Sequence, residues 1–326
     1  MEKSVDGPHW LVKTAKSVVL PLAICFLLEI LYRDALWQKT LEDTPVMQKK
    51  TKMLPFFRTI SDFGKGEILV GIYAVLFNVM SKPAALYFAC SIALTNFLMN
   101  ELKSIYALPR PYWVEPSITS FNTCHTGFGN PSGHMINNTF LWYSIYLHFY
   151  ADIGVKAKKM SVFCTAYIIK MAATSVVMTY LIFIGFGRVY LGAHSYNQVL
   201  FGAMLGIVLA YVCHYNLKPF FYQLPTKLFE NNGNEGGQSY AIRLMDYAFV
   251  KLLWLVIPIG FGIFVLQMRL SDDYQWATDK VWVQRMKDEG CEDLFGNAEY
   301  LSHRHFLHTG IIAASFGAIV GQLCEW

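Results

Sequence analysis

The chain has 326 residues, of which 54% are hydrophobic, 16% aromatic and only 15% charged, with a net charge of +4. Soluble domains carry about 25% charged residues, so this composition and the positive mean hydropathy argue for a membrane protein. The basic residues are scattered, with no tract dense enough to suggest nucleic acid, and the seven cysteines are too few for a disulfide scaffold and lack metal-ligand spacing.

The first apolar run, around 18–31, is preceded by Lys13 and Lys16 and followed by no small-residue cleavage site. It reads as a retained transmembrane helix over 17–36, not as a cleaved signal peptide. Runs near the spanning length of ~20 residues recur at 66–81, 83–102, 134–152, 160–187, 194–214, 248–268 and 306–324. Their continuous apolarity predicts helices, because an open sheet cannot satisfy its backbone in lipid. The run at 160–187 contains Lys170, which suits an interfacial start that crosses the bilayer only beyond that residue. Residues 228–240 are the clearest loop, rich in Asn and Gly, and 269–305 form a polar, Trp-bearing loop. No repeat or second domain is visible. The expected fold is an all-α integral membrane protein, a multi-span helical bundle of about eight or nine transmembrane helices in one polytopic domain over 1–326.

Alternating crossings place 37–65, 103–133, 188–193 and 269–305 on one face. Lys and Arg are plentiful on both faces, so the positive-inside rule does not orient the chain. Most cysteines lie in apolar stretches and read as small buried hydrophobes. Cys124 and Cys291 lie in polar loops of the first face, where a bond between them would require an oxidising compartment.

That same face collects three short motifs. Lys103 is followed after six residues by Arg110 and Pro111. Two cations so placed can converge on one anion, Arg with a planar fork and Lys with a mobile point charge; alone, they could equally be snorkelling flanks of a span. Pro131-Ser132-Gly133-His134 opens the fourth span. Ser132 suits a helix N-cap, Gly133 permits close approach of a ligand to the backbone, and a helix N-terminus favours an anion. Arg188 is followed six residues on by His194, and Gln198 lies one helical turn further on the same face. Each motif alone has an ordinary reading as a cap or interfacial anchor. Their coincidence on one face is what selects the functional reading.

The three motifs together resemble the type 2 phosphatidic acid phosphatase superfamily, whose pattern is Lys-x6-Arg-Pro, Pro-Ser-Gly-His and Ser-Arg-x5-His-x3-Asp. The chain departs from it at Gly187, where the pattern has Ser, and at Gln198, where it has Asp. The glucose-6-phosphatase branch is similar in carrying Gln there and in using an Asp from an earlier helix. "RPYW" from Arg110 and "CHTGFGNPSGH" from Cys124 resemble the same branch. The resemblance spans roughly 56–214 as a phosphatase core, with 1–55 and 215–326 as accessory helices.

The resemblance implies a metal-independent phosphomonoester hydrolase that needs no cofactor. Lys103, Arg110, Ser132, Gly133 and Arg188 would hold the phosphoryl group. His194 would form a phosphohistidine, His134 would protonate the leaving alcohol, and Asp62 would orient His194. Asp62 also has a plain reading as an N-cap of the second span. His125 is a weaker candidate and reads as a loop histidine. Glu29 and Lys170 read as packing or boundary groups. Trp113 and the aromatic loop 269–305 could cap the pocket, although aromatics at such positions usually anchor a protein at the interface.

The leading expectation is a glucose-6-phosphatase-like hydrolase acting on a sugar phosphate. Its rivals are a lipid phosphate or polyprenyl diphosphate phosphatase, and a catalytically inactive fold serving a larger membrane complex. A transporter fits less well, because its site would lie near the midplane and not at helix ends. The expected partners are the phosphate ester, membrane lipids and, in some readings, a partner transporter or complex. The resemblance suggests the endoplasmic reticulum with the site facing the lumen; a mitochondrial or other organellar inner membrane is the alternative.

Overall fold

A computed structural model describes residues 15–121, 124–125, 127–150, 160–219, 221–222 and 279–291. Their regular structure is helical, with no strand among the described residues. The helices are α1 (Leu20–Gln48), α2 (Leu54–Phe63), α3 (Gly66–Val79), α4 (Lys82–Tyr106), α5 (Gly133–Tyr150), α6 (Met160–Tyr190), α7 (Tyr196–Val212) and α8 (Lys280–Asp288). A single turn, Pro111–Val114, follows α4. Among the described residues, three stretches are long and apolar enough to cross a membrane: Lys82–Val114, Tyr167–Tyr190 and Tyr196–Leu217. The expected spans at 248–268 and 306–324 and the loop at 228–240 lie outside the described residues.

The core is the contact of α7 with α5. Gly202 and Gly206 stand one turn apart, and side chains there would meet the backbone oxygens of Ser132 at 2.8 Å and Ile136 at 2.7 Å. Small residues at this spacing let two helices approach closely, which is the main attraction available to helices in lipid. Around that seam Phe140, Phe201, Leu205 and Leu209 pack with Leu86, Tyr87 and Met99 of α4 and Cys25 of α1.

Helix α1 runs 29 residues and extends to Gln48, well past the expected end of the span at 36. Its buried residues are Cys25, Glu29, Thr40, Thr44 and Gln48. A four-residue interval keeps such side chains near one face. The far end of this stripe is polar because it grips loop backbone. The Gln48 amide donates to the carbonyls of Thr119 and Tyr190, both at 2.9 Å, and accepts from the Thr119 amide at 2.9 Å. Thr40 accepts from the Tyr196 amide at 2.9 Å, satisfying an N–H at the start of α7. Thus α1 braces the loops that carry the third motif.

Two other pieces shape the same end of the bundle. Helix α2 packs against α6, where Gly187 keeps a close fit: a Cβ there would stand 3.4 Å from the Phe57 carbonyl. Helix α8 is fastened to the loop after α4 by the Cys124–Cys291 disulfide. Arg285 also donates to the Val114 carbonyl at 2.8 Å, and Glu289 accepts from the Ser120 amide at 2.8 Å. Trp113 is fully buried against Trp282 and Phe128. It supports the site from behind and is neither a pocket cap nor an interfacial anchor.

Candidate active site

The three motifs meet at the ends of α4, α5, α6 and α7. Lys103 lies in the last turn of α4, Arg110 just beyond it, Ser132 and His134 at the mouth of α5, Arg188 in the last turn of α6, and His194 just ahead of α7. Lys103, Arg110 and Arg188 are respectively 5%, 5% and 2% exposed. Among the described residues, no carboxylate forms an ion pair with any of them. Burying a charge without a counter-charge costs several kcal/mol per ion, roughly, even after relaxation. The chain meets part of that cost with carbonyl dipoles. Lys103 Nζ donates to the Phe128 carbonyl at 2.8 Å, and Arg110 donates to the carbonyls of Gly127 and Ala193, both at 2.8 Å. These partners lie in the segment between Cys124 and Pro131 and in the turn before His194. The cations and the loops therefore hold each other.

His194 is 2% exposed and its two nitrogens have different surroundings. Nδ1 lies 2.9 Å from the Gly129 carbonyl and 3.3 Å from Gln198 Oε1. Both are acceptors, so Nδ1 carries the proton. Nε2 lies 3.1 Å from Arg110 Nη1, and a guanidinium can only donate. Nε2 is therefore the unprotonated nitrogen, with its lone pair directed at Arg110. The Gln198 amide is itself fixed: its nitrogen donates to the Pro109 carbonyl at 2.8 Å and its oxygen accepts from the Ser195 amide at 3.2 Å. A side chain at Gly129 would fall 2.4 Å from the Gln198 amide, so only glycine lets this carbonyl reach the ring. Gly192, at φ 66°, makes the tight turn between Arg188 and His194, and a Cβ there would meet the Thr119 carbonyl at 2.8 Å.

Ser132 Oγ, His134 Nε2 and Arg188 Nε are buried and have no hydrogen-bond partner among the described residues. Buried polar atoms are rarely left unmatched, and each such atom asks for an explanation. All three belong to the sequence motifs. The Ser132 amide is spent on the Gln198 carbonyl at 3.0 Å, which leaves the Gly133 amide as the first of the unspent N–H groups at the mouth of α5. Gly133 also lets Met99 pack at the mouth of α5, since a Cβ there would stand 3.1 Å from Met99 Sδ. The charges of Arg188, Arg110 and Lys103 all act on His134. The same three act on His194, and His134 does as well. Burial, then Arg110, holds the His194 imidazole well below its usual range, so the ring is neutral.

Two residues sit differently from expectation. Asp62 does not reach His194. Its carboxylate pairs with Lys65 at 2.8 Å, with half of each side chain exposed, and the position it would occupy beside Nδ1 is taken by Gly129 and Gln198. Successive side chains on a helix point about 100° apart, and α2 turns Ser61 inward instead: Ser61 is buried and accepts from Arg188 Nη1 at 2.9 Å. His125, read from the sequence as a loop histidine, lies in the site with Nε2 3.4 Å from Arg188 Nη2. The signal for it was its neighbour Cys124, because the disulfide fixes that loop over the cations. Among the described residues, no group of three or more His, Cys, Asp or Glu is placed to hold a metal ion.

Residues 84–222 match the family model described as the PAP2 superfamily. The matched stretch contains all three motifs and excludes α1, α2 and α8. No curated protein matches the chain. Among solved structures, the chain is similar to one described as "Crystal structure of the first transmembrane PAP2 type phosphatidylglycerolphosphate phosphatase from Bacillus subtilis". That likeness has 17% identity and a TM-score of 0.42, and covers 65% of this chain and 98% of that one.

Proposed function

We propose that the chain is a membrane phosphatase that hydrolyses a phosphate monoester through a phosphohistidine at His194, with a polar, glucose 6-phosphate-like substrate. The observation that carries this reading is the trio of buried cations, without a carboxylate partner among the described residues, one of which, Arg110, meets the lone pair of a neutral histidine. The match of residues 84–222 to the PAP2 superfamily, whose members are phosphatases, supports the same reaction class.

Entry of a phosphoryl dianion gives Lys103, Arg110 and Arg188 the counter-charge they lack. Ser132 Oγ, Arg188 Nε and the Gly133 amide gain acceptors. Arg110 Nη1 turns from His194 Nε2 to a phosphoryl oxygen, which frees the lone pair. The bound dianion offsets the three cations, so His134 takes up a proton from solvent and enters the reaction as an imidazolium. Nε2 of His194 then attacks phosphorus while the bond from phosphorus to the ester oxygen breaks, and His134 gives that proton to the departing alkoxide. The imidazolium formed at His194 keeps its Nδ1 proton on the Gly129 carbonyl and Gln198 Oε1. In the second half His134 takes a proton from water, the hydroxide attacks phosphorus, and the bond from phosphorus to Nε2 breaks. Preorganised positive charge stabilises both transition states.

The preference for a polar leaving group rests on the side chains around His134. Asn138 stands one turn beyond it and donates to the carbonyls of Gly64 and His134, and Asn137 donates to Asn96 at 3.2 Å. The disulfide on the site face supports an oxidising compartment such as the lumen of the endoplasmic reticulum. The direct test is hydrolysis by the purified protein of glucose 6-phosphate beside phosphatidic acid and a polyprenyl phosphate, with the phosphoenzyme trapped by an alkaline quench, which preserves a bond from phosphorus to nitrogen. His194→Ala should lower turnover by about 10⁴-fold or more and abolish the label. Labelled phosphate retained on that variant would overturn the nucleophile. Faster hydrolysis of either lipid would overturn the substrate class.

A further inference from the structure

We propose that His125 is a positioning residue that aims the Arg188 fork, acting through Nε2 as a neutral hydrogen-bond acceptor; the inference rests on the phosphate-site reading above. Arg188 is divided among its neighbours. Nη1 donates to Ser61 Oγ at 2.9 Å and Nη2 to His125 Nε2 at 3.4 Å, while Nε is buried without a partner among the described residues. Held at both terminal nitrogens, the guanidinium plane is fixed, and Nε is left for a ligand oxygen. A guanidinium has donors only, so this contact requires an unprotonated Nε2 on His125.

The loop is built to hold this ring. The Tyr112 hydroxyl accepts from the His125 amide and donates to the His125 carbonyl, each at 3.3 Å. Cys124, the preceding residue, is bonded to Cys291 below α8. Tyr112 is fully buried, so the anchor is rigid. The charged and titratable groups acting on the ring are Arg110, Arg188, His134 and Lys103, and none is a carboxylate. Burial first, then those cations, holds His125 well below its ordinary range and in the accepting form. This histidine therefore contributes no charge to the phosphate pocket. It contributes the geometry of one of the cations.

Three substitutions separate an acceptor from a cation and from a structural prop. His125→Ala should raise KM, and weaken inhibition by inorganic phosphate, by about tenfold, the worth of one hydrogen bond to a charged group. Its kcat should fall less than about threefold. His125→Gln, which returns an acceptor near the Nε2 position, should recover most of the loss. His125→Lys should be at least as poor as His125→Ala. Recovery by Lys and not by Gln would overturn the inference, as would equal losses in KM and kcat. Phosphate affinity measured by thermal stabilisation reads the same order of variants without turnover. A wild-type protein that binds phosphate but hydrolyses nothing would sink the proposed reaction and leave this test intact. If His125→Ala fails to fold, Gln against Lys still decides.

Discussion

Two buried charged regions of this molecule obey opposite rules. Between α1, α4 and the loop before α5, Glu29 is wholly buried but fully matched. It accepts from Arg33 on both oxygens, from the Tyr106 hydroxyl at 3.2 Å and from the Asn130 amide at 3.2 Å, and Arg33 lies over the Tyr106 ring. That region is closed, and its function is to hold Asn130, next to the Pro131-Ser132-Gly133-His134 motif. The trio of Lys103, Arg110 and Arg188 is equally buried but, among the described residues, meets carbonyls, imidazoles, the Ser61 hydroxyl and the Trp113 ring and no carboxylate partner. The contrast teaches that burial of charge does not by itself mark a site in a membrane bundle. The missing counter-charge does.

Substitution should split the two regions. Lys103→Met removes a cation that makes one carbonyl hydrogen bond, so kcat/KM should fall by about 10²–10³ while the melting temperature holds or rises, since an uncompensated charge has been removed. Glu29→Gln should do the reverse. Arg33 loses its partner, though its partial exposure softens the loss to about 1–2 kcal/mol, and kcat should change little. Thermal melts and kinetics on both variants decide; a Lys103→Met protein destabilised as much as Glu29→Gln would erase the distinction.

The same comparison has a pH signature. His125 and His194 are held well below their ordinary range by burial and then Arg110. Below about pH 6.5 the unfolded chain binds protons that the folded chain refuses, so stability falls as pH falls, by up to about 1.4 kcal/mol per unit for each such histidine. Inorganic phosphate should shrink that loss, because an anion in the pocket favours protonation. Melting temperatures between pH 7.5 and 5.5, with and without phosphate, measure it. A phosphate-insensitive slope would place the responsible histidines elsewhere.

The smallest effect concerns the end of α2. Ser61→Ala removes an acceptor from Arg188 and should raise KM by about threefold to tenfold. Asp62→Asn should cost less than that, because the carboxylate is half exposed and engaged with Lys65. A larger loss from Asp62→Asn would return Asp62 to the role of orienting His194.

The site was legible in the sequence where chemistry is carried by side chains at helix ends. Lys103, Arg110, Ser132, His134, Arg188 and His194 are all brought to one end of the bundle. The rest lay beyond what residue identity can convey. The Gly129 carbonyl that orients His194 is backbone, visible only as a glycine whose Cβ would strike Gln198. The choice between Ser61 and Asp62 depends on a helix phase that a short element does not declare. His125 is placed by the bond of its neighbour Cys124 to Cys291, 167 positions away; the sequence offers that pairing but not that it sets a histidine over the cations. A helix stands where 17–36 was expected to span, but it continues to Gln48, and Thr40 and Gln48 look like loop residues until their backbone partners are seen.

The central claim is that the cation trio and His194 Nε2 share one phosphoryl group. A structure of the protein with vanadate, a mimic of phosphorus under attack, tests it most directly. The account predicts vanadium bonded to His194 Nε2, its oxygens among Lys103, Arg110, Arg188 and the Gly133 amide, and His134 on the opposite side. Vanadate bound elsewhere, or a carboxylate of this chain seated among the three cations, would contradict it.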